Sequence, residues 1–254
     1  MNIKETTSKL QDFYILSFKA PFGIFRKPFY FHDIVEQMDY AGTGSFFIVF
    51  LVSLFIGMAL SLQTSVELGE LGLKMYTGRI VGLSIIKEIG PVLIALCFAG
   101  RVGSGMASEL GSMTLGHQVD ILRVHGVSPL KKLVTPRVIS AILMLPVLTV
   151  IGDAISLAGG YYIAVFVSHQ SGSFYWSQIK EIMDFENIFS GVIKPFIFGY
   201  LIACISCYMG LSTKGGAQGL RKSTTTAVVY SIIMIIVSDF MLTRVLIYAF
   251  GMSV

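Results

Sequence analysis

The chain has 254 residues, of which 54% are hydrophobic and 13% are charged, and its formal net charge is +4. A soluble domain of this length needs more charged residues to cover its surface, so the composition excludes an ordinary water-soluble protein. Nucleic-acid binding requires a concentrated basic patch that the sequence lacks, whereas a modest positive charge suits loops that face an anionic leaflet. The composition therefore predicts a polytopic membrane protein.

The first 40 residues are predicted to include a helix that lies in the membrane interface. The stretch DFYILSFKAPFGIFRKPFYF combines many aromatic residues with Lys19, Arg26 and Lys27. In an interfacial helix the rings lie in the apolar layer and the cations reach towards the headgroups. A short soluble helix packed on the rest of the protein is the alternative. The segment lacks the small-residue cleavage site of a signal peptide.

Five apolar runs are long enough to cross the membrane, which takes ~20 helical residues for ~30 Å of hydrocarbon. They predict an all-α fold with spans at 45–66, 80–105, 138–167, 188–211 and 224–250. Between the third and fourth spans, aromatic residues around Tyr175 and Trp176 predict an amphipathic helix at the outer interface. The whole chain is predicted to be a single membrane domain.

Basic residues are concentrated in two of the connecting loops. These loops lie between spans two and three and between spans four and five, and they contain Arg123, Lys131, Lys132, Arg137, Lys214, Arg221 and Lys222. The loop between spans three and four has only Lys180 against three acidic residues. Because loops rich in lysine and arginine remain in the cytoplasm, the N-terminus is predicted to be cytoplasmic and the C-terminus to face outward.

Five charged residues fall inside the predicted spans at similar depths. Lys87 and Glu88 lie in the second span, Lys194 in the fourth and Asp239 in the fifth, all in the outer half of the membrane at 1.5 Å per residue. A charge at a helix centre costs ~2.5–3.5 kcal/mol, so these groups should face one another or a wet cavity. A polar cavity that handles a charged group is favoured over charges that only fix packing. For Asp153 in the third span, both interpretations remain open.

Small residues recur at four-residue intervals towards the end of the second span. Such a pattern lets helix backbones approach closely in lipid, either within one chain or across a dimer. The residues predicted to pack in this way are Gly100, Gly103, Ser104 and Ala107.

The segment after the second span predicts a short amphipathic helix over 116–125. It mixes Val119 and Leu122 with Asp120 and Arg123, a composition that suits either an ordinary connection or a docking site for a soluble partner. Motifs for hydrolysis, phosphate binding or metal binding are missing, and the four histidines are scattered. The sequence therefore predicts neither catalytic nor metal-ligating residues.

Two long stretches, KEIGPVLIALCFAGRVGSGMASELGSM and QVDILRVHGVSPLKKLVTPRVIS, resemble the Mla-type (MlaE/YrbE) permeases of MCE-associated lipid ABC transporters. The similarity covers nearly everything after Thr43. It implies a homodimeric permease of the bacterial inner membrane that moves phospholipid between the inner and outer membranes and maintains outer-membrane lipid asymmetry. It also implies that the polar residues of a lipid cavity are Lys87, Glu88, Lys194 and Asp239.

The resemblance further implies that ATP-binding cassette subunits dock on the 116–125 helix, which acts as a coupling helix through His117, Gln118, Asp120, Leu122 and Arg123. These subunits would bind ATP and magnesium, so this chain needs no cofactor. A hexameric MCE protein would sit on the periplasmic face, and a STAS-domain protein could bind the ATPase. Members of the family usually have Glu-Gln where this chain has His117 and Gln118, which removes one anionic contact.

Three other functions are weighed against phospholipid transport. Related MCE systems carry sterol or other hydrophobic cargo. An ion-coupled carrier could use the buried acids without any ATPase. An enzyme acting on lipid headgroups would need a nucleophile or a metal constellation, and the sequence contains neither.

Overall fold

The computed structural model describes residue 11, residues 13–20 and residues 30–249. The described residues are almost entirely helical and include no strand. Five helical segments are long and apolar enough to cross a membrane, which confirms the predicted all-α fold with five spans. We call them spans one to five, and they are Phe31–Glu70, Lys74–Leu115, Leu130–Val167, Phe185–Leu211 and Gly216–Ala249.

The N-terminal interfacial segment lies partly outside the described residues. Residues 1–10, 12 and 21–29 are not described, and residues 13–20 are helical, with the side chains of Tyr14 and Phe18 exposed. Residues 31–40, which the sequence assigns to the interfacial segment, form the start of span one instead. Residue 250, the predicted end of span five, also lies outside the described part of the chain.

Span one is much longer than the run of apolar residues that predicts it. Its single helix has 40 residues, which corresponds to ~60 Å at 1.5 Å per residue. This is about twice the hydrocarbon thickness, so the helix continues beyond the apolar core of a bilayer. Its first ten residues include the acidic residues Asp33, Glu36 and Asp39, and Thr43 donates to Asp39 one turn earlier, to the carbonyl oxygen at 2.7 Å and to the carboxylate at 2.8 Å.

The chain divides into two compact units, and the long helices contribute to both. Unit one comprises Met1–Ser45, Phe98–Met144 and Ile197–Ile236. Unit two comprises Phe46–Cys97, Leu145–Phe196 and Val237–Val254.

In unit one, Arg101 of span two is bound to the start of span one. Its guanidinium donates to Ser45 Oγ at 2.8 Å and to the Tyr40 carbonyl at 3.2 Å, and it lies 5.4 Å from the centre of the Tyr40 ring. A Cβ atom at Gly44 would collide with this guanidinium, so the glycine leaves the space that Arg101 occupies. Arg101 therefore joins two spans through hydrogen bonds and a cation–π contact.

A second arginine of unit one is almost fully buried. Arg137 is 4% exposed, pairs with Glu109 at 2.8 Å, and donates to the Leu133 carbonyl at 2.6 Å. An ion pair also connects Lys132 to Asp33. Both pairs join segments that are distant in sequence, so charge pairing contributes to the packing of this unit.

In unit two, the helix Gly172–Ile182 packs on the beginning of span two. Its buried face includes Tyr175 and Gln178, and the Gln178 side chain accepts a hydrogen bond from the Arg79 amide at 3.1 Å. Gly78 leaves the space that Tyr175 and Gln178 occupy. Burial raises the pKa of the Tyr175 hydroxyl. The predicted amphipathic helix thus contacts protein on one face and leaves Trp176 exposed on the other.

Candidate functional site

The centre of the candidate site is the ammonium group of Lys194, which lies entirely inside unit two. Its side chain has no exposed surface. Nζ lies 2.7 Å from Glu88 Oε2, 2.8 Å from Thr243 Oγ1 and 2.9 Å from the Lys87 carbonyl oxygen. A fourth contact, with Asp239 Oδ1 at 2.9 Å, is an ion pair without hydrogen-bond geometry. One lysine thus connects spans two, four and five.

The Lys87 carbonyl lies in a disturbed turn of span two. Pro91 has no backbone N–H, so the turn before it has one helical donor fewer. Span two is also π-helical over Ile85–Ile89, directly before this proline. An unsatisfied carbonyl inside a membrane is costly, and the Lys194 ammonium supplies a donor to the Lys87 carbonyl.

A glycine in span four lets the lysine reach this carbonyl. A Cβ atom at Gly191 would collide with the Ile86 carbonyl oxygen, so the two helix backbones touch at this point. Lys194 follows Gly191 by three residues and therefore lies on the same face of span four. Close backbone contact thus places the ammonium against the Lys87 carbonyl of span two.

Span five contributes an acid and a hydroxyl from one helix face. Asp239 and Thr243 are four residues apart, a spacing that brings side chains together on a helix. Thr243 Oγ1 donates to Glu88 Oε1 at 2.9 Å and accepts from Lys194. Thr243 is not among the residues predicted from the sequence, although its spacing from Asp239 is a usable signal.

The three charged side chains in mutual contact differ in exposure. Lys194 is 0% exposed, Asp239 is 19% exposed and Glu88 is 39% exposed. With one cation and two anions, their formal charges sum to −1. Of the predicted cavity residues, the structure therefore brings together the side chains of Glu88, Lys194 and Asp239 and the backbone carbonyl of Lys87.

Asp153 lies elsewhere in unit two. Its Oδ1 atom packs against Gly90, where any side chain would collide with it, and it has no hydrogen-bond partner among the described residues. The hydroxyl of Ser53, which is also buried, likewise has no partner in the described part of the chain. A small cavity lies beside these residues, lined by Val52, Ser53, Ile56, Ile85, Ile89, Gly90, Leu93, Ile94 and Ser156.

The predicted coupling segment forms a short helix, Gln118–Val124, in unit one. It starts after His117, which has a left-handed backbone with φ of 56°. Asp120 pairs with Arg123 at 2.9 Å. Val119 is buried beneath the helix, whereas Val124 is 85% exposed. Of the predicted docking residues, Leu122 is half-buried and the others, His117, Gln118, Asp120 and Arg123, are exposed.

The small residues of span two separate into two groups. Gly103 and Ala107 face span four: a Cβ atom at Gly103 would lie 3.0 Å from Ile202, and one at Gly210 would lie 2.9 Å from the Ala107 carbonyl. Gly100, in contrast, has no described atom within 4 Å of its Cβ position. Ser104 donates to carbonyls of its own helix, at Gly100 and Arg101, at 2.5 Å and 3.0 Å.

Comparison with known proteins identifies a family. The sequence model described as "Permease MlaE" matches residues 34–245. The chain is 36% identical to a probable ABC transporter permease protein of Rickettsia typhi, over 92% of this chain and 90% of that protein. It is 34% identical to the intermembrane phospholipid transport system permease protein MlaE of Haemophilus influenzae, over 85% and 84% of the two chains. It is also 35% identical to protein TRIGALACTOSYLDIACYLGLYCEROL 1, chloroplastic, of Arabidopsis thaliana, over 90% of this chain and 65% of that protein.

Proposed function

Because the chain belongs to the MlaE permease family, we propose that it is the membrane subunit of an ABC transporter that carries phospholipid between the inner and outer membranes of a bacterium. In this role it helps to maintain the lipid asymmetry of the outer membrane. The observation that carries the proposal is the buried Lys194 cluster, a set of paired charges inside helices that are apolar enough to span a membrane.

The cluster acts as the polar end of a lipid-binding cavity in this proposal. The phosphate of the headgroup is bound by cations of the site, Lys87 and Lys194, while the acyl chains lie along apolar walls. Glu88 and Asp239 hold the buried ammonium in place and keep it charged, since an isolated cation inside a membrane is strongly disfavoured. No covalent step is required of the chain.

The energy for transport comes from partner subunits. ATP-binding cassette subunits, which bind ATP and magnesium, dock on the helix Gln118–Val124 in the cytoplasm. Two exposed apolar side chains support this, since Ile121 is 53% exposed and Val124 is 85% exposed beside the charged Asp120–Arg123 pair. Closure of the ATP-bound subunits pushes on this helix, and the movement is transmitted along the chain of span two.

The remaining assembly follows the same proposal. The permease is a homodimer of the inner membrane with its N-terminus in the cytoplasm and its C-terminus in the periplasm. A hexameric MCE-domain protein on the periplasmic side receives or delivers the lipid, and a STAS-domain protein can bind the ATPase. The basic loops between spans two and three and between spans four and five support this orientation.

Co-purification and lipid transfer test the proposal together. The tagged permease, expressed with its neighbouring genes, should copurify with an ATP-binding subunit and an MCE-domain protein. The reconstituted complex should transfer fluorescent phospholipid between vesicles only when ATP is hydrolysed, and Lys194→Ala should abolish the transfer while the complex still assembles. Transfer without ATP would point to an ion-coupled carrier, and preferential transfer of sterol would point to another hydrophobic cargo. Normal transfer by an assembled Lys194→Ala complex would exclude the cluster as the lipid site.

A further inference from the structure

We propose that the contacts of Lys194 hold spans two, four and five together, and that a lipid phosphate reaches its ammonium only by replacing the Glu88 carboxylate. We call this step the Glu88 exchange. This inference rests on the proposed function, which supplies the phospholipid. It assigns a distinct role to each acid of the cluster, with Glu88 as the group that leaves and Asp239 as the group that stays.

All donors of the ammonium are already used. A lysine side chain has three N–H bonds, and Nζ of Lys194 donates to the Lys87 carbonyl, to Glu88 and to Thr243. The side chain is also completely buried, so no face of the ammonium is open to a ligand. A phosphate therefore cannot be added as a further partner and must take the place of an existing one.

Glu88 is the partner that can leave. The Lys87 carbonyl is fixed in the backbone of span two, so it cannot turn away from Lys194 as a side chain can. Among the two acids, Glu88 is 39% exposed and Asp239 is 19% exposed. Of the two acids, Glu88 is the one that accepts a hydrogen bond from the ammonium, and its greater exposure lets its carboxylate turn away and free that donor.

Charge balance favours exchange over addition. Glu88, Lys194 and Asp239 together have a formal charge of −1, so a phosphate that joined them would place a third anion around one ammonium. When the phosphate replaces Glu88, the ammonium retains an anionic hydrogen-bond acceptor throughout. The Thr243 hydroxyl, which donates to Glu88 in this state, then becomes available to donate to the phosphate.

A residue at position 88 that binds the Lys194 ammonium less strongly than glutamate does should therefore increase the affinity for the lipid phosphate. Glu88→Gln keeps the size of the side chain but removes its charge, and Glu88→Asp keeps the charge but shortens the reach. Losing a hydrogen bond between charged groups should raise the affinity for phospholipid about tenfold to a hundredfold in either variant. Glu186→Gln is the matched control, because Glu186 is an exposed carboxylate at the start of span four.

The experiment measures lipid binding to the full-length permease complex in nanodiscs. Acyl-labelled phosphatidylglycerol and diacylglycerol with the same chains are titrated against wild type, both Glu88 variants and the control, after thermal denaturation has shown which variants are folded. We expect tighter phosphatidylglycerol binding in the Glu88 variants, unchanged diacylglycerol binding, and wild-type behaviour of Glu186→Gln. Inorganic phosphate in excess should not release the lipid.

Three results would contradict the proposed Glu88 exchange. They are equal or weaker phosphatidylglycerol binding in a folded Glu88 variant, an equal gain in diacylglycerol binding, and release of the lipid by inorganic phosphate, which would make this a site for free phosphate. ATP-dependent transfer by the wild type is measured separately. If ATP-dependent transfer is absent but the Glu88 variants still bind phosphatidylglycerol more tightly, only the transport function is rejected. If transfer is normal but the Glu88 variants bind no more tightly, only the Glu88 exchange is rejected.

Discussion

Replacing Thr243 by valine should destabilise the packing of spans two, four and five without changing the shape of the side chain. The threonine hydroxyl donates to Glu88 at 2.9 Å and accepts from Lys194 at 2.8 Å, so it joins the acid and the cation of the cluster. Valine is nearly isosteric with threonine and can make neither bond. The variant therefore removes hydrogen bonding while it leaves the van der Waals contacts almost intact.

The expected loss of stability in Thr243→Val follows from the polar groups that lose a hydrogen-bond partner. One N–H of a fully buried ammonium loses its acceptor, and the Glu88 carboxylate loses one of its two donors. A hydrogen bond to a charged group contributes about 1.5–3 kcal/mol, so we expect a loss of about 2–3 kcal/mol in the free energy of unfolding. For a chain of this length the corresponding fall in Tm is about 5–10 °C.

The assay is thermal denaturation of the purified permease in one detergent, followed by size-exclusion chromatography. Thr225→Val is the matched control, because Thr225 is exposed on the same span and its hydroxyl donates only to the Arg221 carbonyl one turn earlier, at 3.0 Å. We expect the control to stay within about 2 °C of wild type, as surface substitutions usually do. Equal Tm values for the two valine variants would refute the structural role of Thr243.

Two further predictions concern helix contact and partner binding. Gly191→Ala should lower the Tm by more than Gly69→Ala in the same thermal assay, because a methyl group at Gly191 collides with the Ile86 carbonyl, whereas Gly69 has no described atom near its Cβ position. An equal Tm for the two alanine variants would show that the helices can separate freely. Val124→Asp should leave the Tm unchanged, since this side chain is 85% exposed, but should reduce copurification of the ATP-binding subunit about tenfold or more. Undiminished copurification would place the docking surface elsewhere.

The sequence predicts the five spans well because hydropathy directly measures the requirement for crossing hydrocarbon. It does not predict that span one begins at Phe31, since the first ten residues of that helix mix charged and apolar side chains and resemble an interfacial segment. A helix that continues beyond the apolar core is stabilised by protein contacts, such as the bond from Arg101 to Ser45, and these depend on the tertiary structure.

The candidate site shows the same limit of sequence reasoning. Depth along each helix groups Glu88, Lys194 and Asp239 correctly, because the rise per residue is fixed. Depth alone does not show on which helix face a side chain lies. For this reason it does not predict that Asp153 packs against Gly90 and not with the cluster. Thr243 was missed because a threonine in a membrane helix commonly binds a carbonyl of its own helix and gives no hydropathy signal.

The pairing of Pro91 with Lys194 constrains how the two positions can change over time. The proline at position 91 leaves the π-helical turn before it with one backbone donor fewer, and Lys194 supplies a donor to the Lys87 carbonyl of that turn from another span. Loss of the lysine alone exposes an unsatisfied carbonyl and two acids, whereas loss of the proline first restores a donor within the helix. Replacing Pro91 first and Lys194 second is therefore less destabilising than the reverse order. A double-mutant cycle with Pro91→Ala and Lys194→Met should show strong coupling, and a descendant lineage should reach an apolar residue at position 194 only after the proline has gone.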